Sequence, residues 1–270
     1  MDLPAAASWL GPLRPPPRIR DFAWDAAAVA DRWSRGARGV AGALAAGTLP
    51  VLISLAVRLP GHQIASALGL GLLCLACVRR GAALEGIALA LLAFAAHSVV
   101  VMLLAAHAPD AAARLLPGAA EYWLKQREWI RTGWDPEYET AAWTSSHLGQ
   151  LGGVIVYSYA SLGWITFAEG FREVDWMNYY CVQLMRSSTS PLTAGLLGWH
   201  VWSLVRGVGL AVISIDLVSL SLGRLTGREL STARARRGRW IAGLGLLALD
   251  AVLKVLLLRP VQEALLATLR

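Results

Sequence analysis

Six polar side chains between His147 and Glu169 recur at helical spacing: His147, Gln150, Tyr157, Ser158, Ser161 and Glu169. At 100° per residue they fall within a stripe roughly 120° wide. A histidine at one end and a carboxylate at the other would supply acid–base groups or ligands, with the hydroxyls between them as a polar path. Leu151, Val154 and Ile165 interrupt the stripe, so it is not a continuous channel wall. The plainer alternative is hydrogen bonding between packed helices, which Gly149 and Gly153 favour by allowing close approach.

The stretch 199–206 (WHVWSLVR) is the second candidate. His200, Ser203 and Gly207 share one helical face, and Trp199, Trp202 and Arg206 share another, where a guanidinium can sit over an indole. An arginine in apolar surroundings needs an acidic partner, and Asp175, Glu169 and Asp216 are the candidates. One reading is a site for an anion or a headgroup; the other is an aromatic belt with a snorkelling arginine. If the chain is an enzyme, His147, Glu169 and His200 are its acid–base or ligand candidates. Arg206, Trp202, Gln150, Tyr157, Ser161 and Asp175 are the binding candidates.

Other chemistry-bearing residues read as structural. Asp250 and Lys254 are spaced i,i+4 and are expected to neutralise each other. His97 reads as a core histidine, with Glu85 more than three turns away. A haem would need ligands from two helices; His97 and His200 are the best pair by depth, yet nothing local favours one, so no cofactor is assigned. Cys74 and Cys77 form a C-x-x-C, but reactive thiols need an electropositive, partly exposed setting, and the pair reads as packing. Ser146 cannot use the adjacent His147, because neighbours on a helix do not face each other. No nucleophile elbow, H-E-x-x-H or phosphate-binding loop is present, and no metal site is assigned. Asp135, Glu137 and Glu139 read as a solvated acidic loop.

The elements that must carry these residues are apolar blocks. The 270-residue chain is 56% hydrophobic and 16% charged, against ~45–50% and ~25% in a typical soluble domain. The blocks are long enough for a hydrocarbon layer that needs ~20 residues per helix. The expected fold is all-α: a polytopic transmembrane helical bundle of six or seven spans with short interfacial amphipathic helices. Spans are expected at about 39–57, 62–78, 82–106, 148–168 and 240–258, with 190–222 as one span or a hairpin turning near Arg206–Gly207. Residues 1–38 form an N-terminal segment with an amphipathic helix over 21–34, its face made by Phe22, Ala26, Val29 and Trp33. The loop 107–146 contains an aromatic helix over 121–131, and 171–186 reads as a second interfacial helix.

Of 25 basic residues, 23 are arginine, and they flank the apolar blocks. That is the positive-inside pattern rather than a nucleic-acid footprint, so the expected partners are the lipid bilayer and other membrane subunits, with no nucleic acid. Together with the Ala, Gly and Leu content it suggests a bacterial inner-membrane protein with a cytoplasmic N-terminus and an uncleaved first span. Arg79–Arg80 and the run from Arg224 to Arg239 should then share the cytoplasmic side. A single crossing over 190–222 cannot satisfy that if 171–186 is cytoplasmic. No catalytic signature emerges, and the sequence points to a small transporter or a membrane-complex subunit handling a lipid, small molecule or partner protein. An intramembrane enzyme acting on a lipid or peptide is the alternative.

Overall fold

The computed structural model describes residues 17–134 and 140–269 and is all-helical, with no strand among them. The helices are α1 (Pro17–Asp31), α2 (Gly36–Val57), α3 (His62–Arg79), α4 (Ala83–His107), α5 (Pro109–Leu115), α6 (Ala119–Thr132), α7 (Thr140–Ala160), α8 (Trp164–Arg186), α9 (Pro191–Gly198), α10 (Val201–Thr226) and α11 (Ala233–Thr268). Five segments are long and apolar enough to cross a membrane: α2, α3, α4, the stretch Pro191–Thr226, and α11. Their outward faces carry exposed Leu52, Ile53, Val99, Val255 and Leu256. The chain is therefore consistent with a multi-pass membrane protein.

The run 148–168, expected as one helix, is two. Leu162 and Gly163 have φ of 54° and 87°, left-handed values that stop α7 and start α8 within three residues. A Cβ on Gly163 would stand 2.8 Å from the Val218 side chain, so the turn is packed on α10 as well. The hairpin contemplated at Arg206–Gly207 does not form, because α10 runs unbroken through both. The chain breaks instead at Trp199–His200, between α9 and α10. Residues 171–186 are not interfacial. They form the C-terminal two-thirds of α8, which packs at the centre of the bundle with Phe171, Asp175, Asn178, Tyr180, Cys181 and Leu184 buried. Polar residues of this segment are buried as well as apolar ones, and Asp175 finds its partners on α3 and α4.

α1 also docks differently from expectation. Ala23 and Ala27 are its buried residues, while Phe22, Val29 and Trp33 stay exposed. Trp24 lies between two guanidinium groups, Arg79 at 4.6 Å and Arg228 at 4.0 Å from its ring centroid. These contacts bring α1, the α3–α4 turn and the α10–α11 loop to one end of the bundle. Arg80 reinforces it, donating to Ser34 Oγ (2.5 Å) and pairing with Glu85. The Arg35 guanidinium beside Asp31 holds that carboxyl below its usual range. The α7–α8 turn is at the same end: Ser221 donates to the Tyr159 carbonyl (2.7 Å) and Arg224 to the Tyr159 hydroxyl (3.3 Å). At the other end, Arg186 reaches the Ala106 carbonyl (2.5 Å) and the Thr189 N–H donates to the Thr268 carbonyl (2.7 Å). Seven helices (α2, α3, α4, α7, α8, α10 and α11) thus run between the two ends, and α5, α6 and α9 sit at the far one.

Candidate functional site

The polar side chains expected along 147–169 do not form one path, because the turn at 161–163 separates them. His147, on α7, approaches Asp250 of α11, with Nε2 3.7 Å from Oδ2. Gln150 lies half-buried one turn away, and Tyr157 is exposed. Ser158 bridges helices, within 2.9 Å of Thr166 Oγ1 and 2.8 Å of Ser214 Oγ. Ser161 works inside the turn, donating to the Tyr157 carbonyl (2.6 Å) and accepting from the Ile165 N–H (3.0 Å). Glu169 pairs with Arg172 at the surface of α8.

Asp250 takes Arg206 as its main partner, with Nε to Oδ2 at 3.1 Å. None of the three carboxylates considered for Arg206 is its partner, and the internal Asp250–Lys254 pairing is replaced by this link between α10 and α11. Asp216 is engaged by Arg239, with Nε to Oδ1 at 2.8 Å, and by the Trp240 indole, 2.8 Å from Oδ2. His200 ends the α9–α10 break inside an aromatic cluster: Trp202 stacks on it at 4.6 Å, Trp129 meets it edge-on at 5.5 Å, and the Tyr180 hydroxyl is 3.4 Å from Nε2. His147, Glu169 and His200 therefore occupy three separate neighbourhoods. Of the enzyme candidates only His147 shares a partner with Arg206. Asp135, Glu137 and Glu139 lie outside the described residues. Cys74 and Cys77 are both fully buried in the α3 core.

One constellation does converge, and it joins residues that the sequence left apart. Asp175, at mid-length in α8, meets His62 at the start of α3 and His97 in α4. His62 Nε2 is 3.0 Å from Oδ2, His97 Nε2 is 2.7 Å from Oδ1, and Gln63 donates to Oδ2 at 2.6 Å. His97 Nδ1 is 3.0 Å from the Gly47 carbonyl of α2. Three helices thus meet at one carboxylate, and α2 joins them through His97. His62, His97 and Asp175 are each at most 1% exposed, and the two imidazoles stack at 5.5 Å with Phe171 against His97. One ligand atom from each residue lies within 4.8 Å of the others, a spacing that a single ion can bridge.

Local sequence explains the convergence. Gly47 sits where a Cβ would collide with the Ala93 carbonyl oxygen and stand 3.2 Å from the His97 nitrogen, so glycine lets α2 touch α4 at the level of His97. Gly71 plays the same part between α3 and α8, where a Cβ would strike the Trp164 indole. The two contacts hold α2, α3, α4 and α8 at the spacing at which one carboxylate reaches both histidines. No motif spacing could reveal the set, since its members are 35 and 78 residues apart. The only sequence signal is that each is an ionisable residue within or beside an apolar block.

Comparison of the chain with protein-family models, with curated proteins and with solved structures finds no match.

Proposed function

We propose that this chain is a multi-pass protein of the bacterial inner membrane, of the small-transporter or membrane-complex-subunit class, with the His62–His97–Asp175 centre as its working site. The supporting observation is how buried charge is used. Elsewhere, buried carboxylates are taken up in links between helices, Asp250 with Arg206 and Asp216 with Arg239. Asp175 instead gathers two histidines and a glutamine from two other helices. An intramembrane ionisable cluster of that kind is a functional hypothesis by default.

The topology follows from arginine. The basic segments beside α1, between α3 and α4, and between α10 and α11 share one end of the bundle, which we assign to the cytoplasm. Seven crossings then begin inside and finish outside. α8 qualifies as a crossing despite its polar residues, because other helices cover Asp175 and Asn178 and because Glu169 and Arg172 pair with each other. The odd count comes from the α7–α8 turn and removes the parity conflict without a hairpin at Arg206.

Two measurements test the reading. Single cysteines at Arg237 and at Pro117 are probed with a membrane-impermeant maleimide in intact cells; Pro117 should label and Arg237 should not, and the reverse pattern overturns the orientation. Protein purified in mild detergent is then reconstituted into vesicles loaded with pH- and cation-sensitive dyes. Solute flux that the His97→Gln variant abolishes supports a transporter, and a stoichiometric partner that co-purifies supports a subunit. Inert vesicles with no partner overturn both.

A further inference from the structure

We propose that His62, His97 and Asp175 bind a divalent first-row transition-metal ion of the zinc or iron class. The proposal takes its functional setting from the working site above, but the binding itself does not depend on transport or on a partner.

The argument starts with the protons of His97. Both of its ring nitrogens face acceptors, the Gly47 carbonyl at Nδ1 and Asp175 Oδ1 at Nε2. A neutral imidazole has one N–H to give. The carbonyl cannot donate, so the proton on Nδ1 is committed to it. The Nε2 lone pair then points at a carboxylate oxygen 2.7 Å away. Two lone pairs at that separation repel, so a cation must lie between them, either a proton or a metal ion. Fixing one imidazole nitrogen through a backbone carbonyl is also what metal-bound histidines commonly show, since it sets the tautomer and leaves the other nitrogen free to ligate.

Charge favours the metal. An ionised carboxylate in a dry interior needs a compensating cation. Asp216 and Asp250 have guanidinium groups. The groups bonded to Asp175 are two imidazoles and a neutral amide. A divalent ion would occupy both Nε2 atoms and offset the carboxylate, with hydroxide or another anion at its open position cancelling the remaining positive charge, and Gln63 would support the carboxylate from outside the coordination sphere.

Size and ligand type agree. Metal–ligand bonds of ~2.0–2.1 Å in a tetrahedral site put neighbouring ligand atoms about 3.3 Å apart. The nitrogen–oxygen separations here are 2.7 and 3.0 Å, to different oxygens of the carboxylate, and one ligand atom from each residue lies within 4.8 Å of the others, so an ion needs both contacts to open by a few tenths of an ångström and the side chains to turn toward a common point. Two imidazoles with one carboxylate suit zinc and ferrous iron better than calcium or magnesium. Three protein ligands leave at least one position for water or another ligand. Unspent polar groups lie close by on the same helices: Ser66 one turn from His62, and Asn178 one turn from Asp175. Ser66 Oγ, both amide atoms of Asn178 and Nδ1 of His62 are buried without a hydrogen-bond partner, and ordered water beside an ion would satisfy such groups.

The test uses the full-length protein in detergent, stripped with chelator, desalted and titrated with Zn²⁺ or Co²⁺. Elemental analysis should find one ion per chain, and Co²⁺ should give visible ligand-field bands. Asp175→Asn and His97→Gln should lose the ion, and Gln63→Ala should weaken binding by roughly 10- to 100-fold. Asp250→Asn, at a separate ion pair, should bind as the unmodified protein does. Size-exclusion profiles verify that each variant is folded, and Gln63→Ala keeps the test open if the ligand variants are not. A folded protein that takes up no ion, or an Asp175→Asn variant that binds like the original, overturns the proposal in favour of a proton-bridged cluster. One bound ion in vesicles that carry no flux would retain the metal site and remove only the transporter reading.

Discussion

Replacing Gly47 by alanine tests whether close helix approach positions the histidine centre. On an exposed helix the change should help, because alanine is favoured over glycine by ~0.8–1 kcal/mol. At Gly47 the added methyl meets the backbone of Ala93 and His97, which cannot rotate away as a side chain can. α2 and α4 must separate, at an overpacking cost of about 1–3 kcal/mol. The Gly47 carbonyl moves with α2, and its 3.0 Å contact with His97 Nδ1 lengthens past hydrogen-bonding range. A buried N–H left without its acceptor adds about 1–3 kcal/mol. Offsetting the helix-propensity gain leaves a net destabilisation of about 1–5 kcal/mol. The assay is unfolding in mild detergent by an SDS titration, beside Gly207→Ala and Gly245→Ala. A Cβ at either of those glycines meets nothing within 4 Å, so both controls should be neutral or slightly stabilising. A Gly47→Ala variant as stable as the controls would refute the claim that this contact sets the geometry.

Two further outcomes follow from the ion pairs and the basic end. Asp250→Asn leaves Arg206 without its carboxylate and should cost roughly 2–4 kcal/mol, somewhat below a fully buried pair because Arg206 is 20% exposed; Arg206→Met with Asp250→Asn together should cost less than the two single changes added, and strict additivity in the double-mutant cycle would show that the pair is not coupled. Trp24→Ala removes the ring that packs on Arg79 and Arg228, a loss of about 1–3 kcal/mol if each cation–π contact contributes about 0.5–1.5, and should make α1 more susceptible to limited proteolysis at Arg32, whereas unchanged cleavage would mean that Ala23, Ala27 and the Arg80 contacts suffice to hold it.

The fold was legible where one face of a helix meets lipid or water. The expected spans 39–57, 62–78 and 82–106 lie within a few residues of α2, α3 and α4, and the aromatic helix expected over 121–131 is α6. The break at 161–163 was not legible, because Ser161–Leu162–Gly163 contains no proline and one glycine inside an apolar run is no more a stop than Gly149 or Gly153, which α7 passes through. The error at 171–186 has a related cause. Asp175 and Asn178 made the segment look interfacial, since a single sequence reports the polarity of a side chain and not whether another helix supplies its partner. From the sequence Asp175 reads as a binding residue, but for Arg206. Its actual partners were unreadable for the same reason: His62 opens an expected span with nothing to mark it and His97 reads as a core histidine, and only packing around Gly47 and Gly71 brings them to one carboxylate.

α11 also sets a length. Arg239 and Arg259 lie twenty residues apart on it, about 30 Å at ~1.5 Å per residue, which matches a hydrocarbon layer of ~30 Å. Asp250 sits close to midway between them, so the Arg206–Asp250 pair falls near the middle of that stretch. α11 is thus a ruler fixed to α10 at its centre by that pair and near its start by Arg239 and Asp216. A thinner or thicker bilayer cannot be accommodated by sliding α11 alone. A change in span would have to tilt α10 and α11 together.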